Sequence, residues 1–315
     1  MGDDLLKVNA LASSELASRL SSEQGLAIEI GPYITRMHST VASVAEGVQL
    51  LYADFPICED GGFSDFHIAV KRPVSIRRWL SPQIDFYLDA MAPFKPLPLS
   101  QAFPMLEWGL NWCISNYDNQ HLIIHAAVIE KDGFAAILPA PPGAGKSTLC
   151  AGLVNRGWRL LSDEMTLISR RDGCIVPLPR PANLKNASID VMRQFAPNAV
   201  FGREAKDTSK GTVAHMRAPA ESVRRISETA IPAWVVFPKY EANASARLVS
   251  SPAAEAFIFL AENSFNYNVL RREGFDLLGG VIDSSDCYHF TYSNLDEAVE
   301  IFDALKPSSR ASERA

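Results

Sequence analysis

A chain of 315 residues, 47% hydrophobic and 21% charged, is long enough to bury one large α/β core and a smaller one beside it. A formal charge of -6 excludes a globally basic nucleic-acid surface, and no run approaches the roughly 20 apolar residues of a membrane-spanning helix, so neither nucleic acid nor membrane is an expected partner. Cys58, Cys113, Cys150, Cys174 and Cys287 make no CxxC pair and no zinc spacing. With no recognisable leader peptide they read as reduced thiols, and the expected location is cytoplasmic.

In chain order, the spacing predicts an amphipathic helix over 10–22 and strands over 26–33, 62–70 and 84–88. A polar-basic turn around Arg77 and Arg78 separates the last two. Within 40–54, Val41, Val44, Val48 and Leu51 suit either a helix face or a long strand. The proline-rich link 93–98 reads as a domain seam. It divides an N-terminal α+β region (1–98), read as a substrate- or partner-binding element, from a larger unit over 99–306. Past the seam, Phe103, Leu106, Leu110 and Cys113 fall at helical spacing in 101–115.

The larger unit begins with strands 122–130 and 134–138, paired around the turn Lys131-Asp132-Gly133. A buried strand over 158–161 and a hairpin over 166–169 and 174–177 follow. Residues 180–230 hold no long apolar run and read as substrate-facing loops. A strand (233–238), a helix (252–262), a strand (286–292) and a closing helix (295–305) complete an α/β pattern. The tail 307–315 is expected to be disordered. Trp108, Trp112 and Trp158 fall on apolar faces and read as core.

Between the strand 134–138 and the helix that follows lies Ala140-Pro141-Pro142-Gly143-Ala144-Gly145-Lys146-Ser147. Such a strand-to-helix turn reads as a phosphate-binding loop. Small residues let backbone N–H groups face phosphate oxygens, the lysine neutralises β/γ charge, and the next hydroxyl ligates Mg²⁺. Ala140 stands where many such loops have glycine, which alanine tolerates at negative φ. The expected nucleotide cradle is Pro142, Gly143, Ala144, Gly145, Lys146, Ser147 and Thr148.

His125 precedes Lys146 by 21 residues, and the pair Asp163-Glu164 follows it by 17. A histidine inside an apolar strand is ordinarily a satisfied core residue, and a strand-end acidic pair can be a solvated turn. Flanking a phosphate loop, they read instead as catalytic. One carboxylate holds Mg²⁺ and the other takes a proton from an attacking hydroxyl. Arg180, Lys185, Lys210 and His215 supply cations for charge spread over the transferring phosphoryl group, with Lys185 and Lys210 preferred. His121, Arg224-Arg225 and Arg271-Arg272 read as structural or surface groups.

Ile124-His125-Ala126, residues 140–147 and Leu160-Leu161-Ser162-Asp163-Glu164 together resemble the HPr kinase/phosphorylase superfamily, whose P-loop core is similar to that of phosphoenolpyruvate carboxykinase. The resemblance covers about residues 119–240. It implies a P-loop kinase core and an ATP- and Mg²⁺-dependent transfer to serine of a small protein or peptide. By position it makes Asp163 the proton-transfer residue and His125 its electrostatic helper. Catalysis then rests on Asp163, His125, Lys146, Lys185 and Lys210, with Ser147, Asp163 and Glu164 at the metal.

Two departures narrow this. Glu164 stands where true HPr kinases have a second aspartate, and their glycine-rich signature segment beyond the acidic pair is not recognisable. In its place, Leu184-Lys185-Asn186 and Lys210-Gly211-Thr212-Val213-Ala214-His215 resemble the branch called HPr kinase-related kinase A. That branch is found beside PqqD-like peptide-binding proteins, which makes a PqqD-like partner part of the expectation; a homo-oligomer is expected separately, and the departures put HPr itself, phosphorylase activity and a hexamer in doubt. Two rivals stay open: a kinase for the hydroxyl of a free amino acid or sugar, and a nucleotide-binding module without transfer.

Overall fold

The computed structural model describes residues 5–58, 62–73 and 82–314. In the N-terminal part, α1 (Ser13–Ser21) buries Leu16 and Leu20, one helical turn apart. β1 (Leu26–Ile30) turns back at Gly31, whose φ is +63°, and returns antiparallel as β2 (Tyr33–Ser39). The predicted strand over 26–33 is therefore a hairpin. A β-carbon at Gly31 would lie 2.6 Å from the Pro177 carbonyl, so the turn both requires left-handed backbone and sits against the rest of the chain.

The ambiguous segment resolves as a helix, α2 (Ala42–Leu51), because Val44, Val48 and Leu51 share one buried face. β3 (Phe66–Lys71) runs parallel to β2, and β4 (Gln83–Leu88) and β5 (Leu97–Pro98) follow antiparallel, closing a five-stranded sheet. The proline-rich link thus also supplies an edge strand. Arg77 and Arg78 lie outside the described residues.

α3 (Ala102–Tyr117) crosses this sheet at close range, since a β-carbon on Gly109 would lie 2.1 Å from the Phe86 ring. One apolar cluster runs unbroken from Leu16, Val48 and Phe86 through Leu106 and Leu110 to Leu138, Leu149 and Trp158. The N-terminal layer and the rest of the molecule therefore share a core.

The predicted strand over 122–130 is broken at His125. β6 (His121–Ile124) belongs to one sheet and β7 (Ala126–Lys131) to another. At the break the His125 N–H leaves the ladder and donates to the Asn263 carbonyl at 2.8 Å. β8 (Phe134–Pro139) leads into α4 (Lys146–Val154), and β9 (Arg159–Ser162) returns antiparallel to β7. β10 (Thr166–Ser169) pairs with β11 (Ile175–Val176) as the hairpin expected, and with β6 on its other side.

Residues 180–230 are not loops. They fold as β12 (Ala182–Lys185), α5 (Ala187–Phe195), β13 (Ala205–Thr208), β14 (Gly211–Met216) and α6 (Ala220–Arg224), with the sheet order β12-β14-β13. Each strand has six residues or fewer, and buried polar residues, Asn183 and His215, interrupt the buried apolar ones, such as Leu184, Val213 and Ala214, so no long apolar run betrays it.

β15 (Ile231–Tyr240), β16 (Arg247–Ser250), α7 (Ala253–Glu262), α8 (Tyr267–Leu270), α9 (Arg272–Ser284), β17 (Asp286–Tyr292) and α10 (Leu295–Asp303) complete a six-stranded sheet in the order β16-β17-β15-β8-β7-β9. β8, β15 and β17 are parallel. Ala136 and Leu138 of β8 face the side of α4, while Ala135 and Ile137 face α7 and α9, so the chain is α/β with helices on both faces. The tail expected to be disordered forms a short helix, α11 (Ser309–Ser312), with Ala311 buried and the Ser308 hydroxyl accepting from its N–H at 3.2 Å. Among the described residues, no helix is long and apolar enough to cross a membrane.

Candidate active site

At the C-terminal end of β8 the chain passes through residues 140–145 into α4. Gly143 and Gly145 have φ of +87° and +90°. At Gly145 the need is double, because a β-carbon there would also stand 2.5 Å from Tyr292 Oη. The loop is fixed by the ends of the parallel strands β15 and β17: Tyr240 N–H donates to the Ala144 carbonyl at 2.9 Å, and Tyr292 Oη donates to the Gly145 carbonyl at 2.8 Å. Lys146, Ser147 and Thr148 open the helix, so their N–H groups have no intrahelical acceptor and add to the positive end of the helix dipole.

This loop forms one wall of a cleft of about 520 Å³. Lys146, His125, Glu164, Lys185 and Lys210 all line it, with Pro142, Gly143, Gly145, Ser147 and Thr148. Of the expected cradle, only Ala144 does not line the cleft. Residues from His125 to Lys210 thus converge on one volume, and the sign is mostly positive: three lysines face one carboxylate.

The two acids have separate surroundings. Asp163 is 4% exposed and lies beneath the cleft rather than on it. Its Oδ2 accepts from Asn183 N–H at 2.9 Å, while Oδ1 is buried without a partner. Burial pushes its pKa up, against the opposing pull of Lys146, Asn183 N–H and the Ser147 hydroxyl. Lys146 Nζ donates to the Asp163 carbonyl at 3.0 Å, which ties the loop wall to the end of β9.

Glu164 reaches the cleft. One oxygen accepts from Asn183 Nδ2 at 3.1 Å and the other from Asn111 Nδ2. Burial alone would raise its pKa, but Lys146, Lys185, Lys210 and Arg180 overcome that and hold it down at about 2. His125 is driven the other way, to about 4, by burial and then by Lys146, so its imidazole is uncharged at neutral pH. Its ring meets Phe265 edge-on, with centroids 6.0 Å apart.

The facing wall comes from the region without apolar runs. Lys185 ends β12, and Lys210 sits in the turn between β13 and β14. Asn186 joins them. Its N–H donates to the Thr212 carbonyl at 2.9 Å, its Oδ1 accepts from Thr212 N–H at 3.0 Å, and its Nδ2 donates to the Lys210 carbonyl at 3.3 Å. Asn186 does this at φ +52°, ψ -128°, a backbone conformation L-residues rarely adopt. Burial lowers the pKa of Lys210, partly countered by Glu164. Lys210 Nζ also stands 5.4 Å from the centre of the Trp108 ring.

Arg180 and His215, expected among the phosphate-facing cations, are elsewhere. Both are buried behind the acids, at 7% and 2% exposure, and His215 is pushed down to about 4 by burial. His121 has the structural place expected of it, bonded to Asp118 at 2.8 Å. The sequence reading missed Asn111, Asn183 and Asn186. Of these, Asn186 alone has a sequence signal, since it stands in the block Leu184-Lys185-Asn186, but that block does not single it out as a site residue.

One comparison with known proteins covers the phosphate-loop side of this site. The family model described as "SynChlorMet cassette protein ScmC" matches residues 107–198. An HPr kinase/phosphorylase of Lactobacillus acidophilus (strain ATCC 700396 / NCK56 / N2 / NCFM) is 33% identical over 87 residues, 25% of this chain. The chain spans about a quarter (27%) of that curated relative's length. A segment of this protein is thus distantly similar to a kinase-type enzyme.

Proposed function

We propose that the protein is a phosphotransferase that moves the γ-phosphoryl group of ATP, with Mg²⁺, to a hydroxyl, the acceptor being serine of a small protein or peptide. The observation that carries this reading is the convergence of Lys146, Lys185 and Lys210 on one carboxylate at the N-terminus of α4. Phosphoryl transfer asks a protein mainly for positioning and for cations around the equatorial oxygens. A distant, partial likeness to HPr kinase/phosphorylase supports the same class of chemistry.

The donor set fits Mg²⁺. That ion is held by one or two carboxylates together with phosphates and waters, so a cage of protein ligands is not needed. Among the described residues, no group of three or more histidine, cysteine or acidic side chains forms such a cage. Ser147 and Glu164 would hold the ion, and the unpartnered Asp163 Oδ1 lies just beneath them. The ion would neutralise phosphate charge. Lys146 and the opening N–H groups of α4 would bind the β- and γ-phosphates, and Lys185 and Lys210 would meet the transferring group from the facing wall.

Burial supports a division of labour between the acids that differs from the sequence reading. Asp163 would orient Ser147, and Glu164 would be the carboxylate that faces the transferring group. His125, neutral, would serve as a hydrogen-bonding partner of phosphate. One exposed apolar side chain reaches the cleft edge: Phe265, 48% exposed, meets the His125 ring, while Ile258, Val269 and Phe275 are exposed elsewhere on α7, α8 and α9.

The test uses γ-labelled ATP and Mg²⁺ with host lysate, comparing wild type, Asp163→Asn and Glu164→Gln. Label on a discrete polypeptide with wild type is expected, with Glu164→Gln slower by about 10²-fold. No transfer by wild type despite ATP binding would defeat the kinase reading. A larger loss in Asp163→Asn than in Glu164→Gln would return the proton-transfer role to Asp163.

A further inference from the structure

Behind the acidic pair, polar groups that the proposed chemistry does not use form a continuous buried path. Tyr52, at the end of α2, is fully buried and donates from Oη to Glu107 Oε1 at 2.6 Å. Glu107, 2% exposed on α3, has its other oxygen 3.9 Å from Arg180 Nη1, an ion pair without a hydrogen bond. Arg180 Nη2 donates to Asn111 Oδ1, and Asn111 Nδ2 donates to Glu164 Oε2. Glu107 and Asn111 are four residues apart on α3, so one helical turn presents both to Arg180.

We propose that Tyr52, Glu107, Arg180 and Asn111 are a chain of positioning residues through which the N-terminal layer holds the Glu164 carboxylate at its place in the cleft. The inference rests on the phosphotransferase reading for its meaning but not for its geometry. The donor inventory leaves the chain one polarity. Arginine has donors only, so Asn111 must offer its oxygen to Arg180 and hence its NH₂ to Glu164. Glu164, which accepts from Asn183 on its other oxygen, is then gripped between two amides and cannot swing toward the lysines. A buried Glu–Arg pair is a poor device for stability, since desolvation offsets its attraction. It is a good device for fixing one orientation.

The decisive experiment is a cycle of Asn111→Asp, Glu164→Gln and the double variant. Asn111→Asp still accepts from Arg180 but sets a carboxylate against Glu164. Adding Glu164→Gln exchanges donor and acceptor and restores the contact. Two readouts are taken: MgATP affinity by calorimetry, with ATP in EDTA as control, and denaturant unfolding of the unliganded protein. Asn111→Asp is expected to weaken MgATP binding about tenfold while changing ATP binding in EDTA less than about twofold. Its unfolding penalty should largely disappear in the double variant. Equal loss with and without Mg²⁺, or additive unfolding penalties, would overturn the chain. If wild type binds no MgATP, the site reading fails, and the unfolding cycle alone still decides this proposal.

Discussion

The two walls of the cleft are built by opposite strategies. The loop wall is local: β8, six loop residues and α4 follow one another in sequence, and the parallel strands β15 and β17 brace the loop through Tyr240 and Tyr292. The lysine wall is assembled from two segments about 25 residues apart, joined at Asn186, on a small sheet with short strands. A phosphate cradle needs contiguous N–H groups, which only a continuous turn supplies. A cation meeting the outer phosphate needs only a charge on a rigid support, and any element that reaches the cleft will do. The loop wall should therefore govern binding and the lysine wall the rate.

The largest effect sharpens that division. Lys146→Ala removes a cation that also donates to the Asp163 carbonyl, so it should weaken nucleotide binding by about 10²-fold or more in calorimetry. Lys185→Ala should leave binding within about threefold and lower turnover about 10-fold to 10²-fold. Equal losses of affinity in both variants would erase the distinction between the walls.

The same contrast explains what the sequence disclosed. The loop was legible because glycine and lysine spacing between a strand and a helix encodes a local geometry. Asp163 and Glu164 were legible as a pair, but not as one buried and one cleft-facing group. That difference arises from Asn183 and Asn111, which approach from distant segments. Lys185 and Lys210 are legible by charge and by the two blocks that carry the family resemblance, while the sheet beneath them is not, because its short strands mix buried polar with apolar residues and form no long apolar run. His125 was placed inside a strand, and the switch of sheets at that residue, set by pairing with β10 on one side and β9 on the other, has no local signal.

A pH titration tests how deeply the lysine wall is buried. His215 lies on β14, behind the lysine wall, and folding lowers its pKa from 6.5 to about 4. Between these values the unfolded chain binds the proton and the native protein does not, so stability rises with pH. It is fully present above the unfolded value and is lost as pH falls toward the folded one. Between about pH 7 and about pH 5 His215 should contribute about 2 kcal/mol of the loss in urea unfolding, beside a similar part from His125, and His215→Phe should remove only its own component. A gap between wild type and variant that does not change with pH would mean that His215 is not held neutral by the fold.

The smallest effect bears most directly on how the lysine wall is held. Asn186 adopts a left-handed φ and uses its amide to fasten the Lys210 turn to the end of β12. Asn186→Gly keeps that backbone available without strain and removes only the fastening, so stability changes little while the turn loosens. Turnover should fall about threefold, with MgATP affinity nearly unchanged and Lys210→Ala adding little further in the double variant. Non-additivity is the informative result, because it means that Asn186 acts through Lys210. Full additivity would show that the strained backbone at Asn186 serves something other than the position of that lysine.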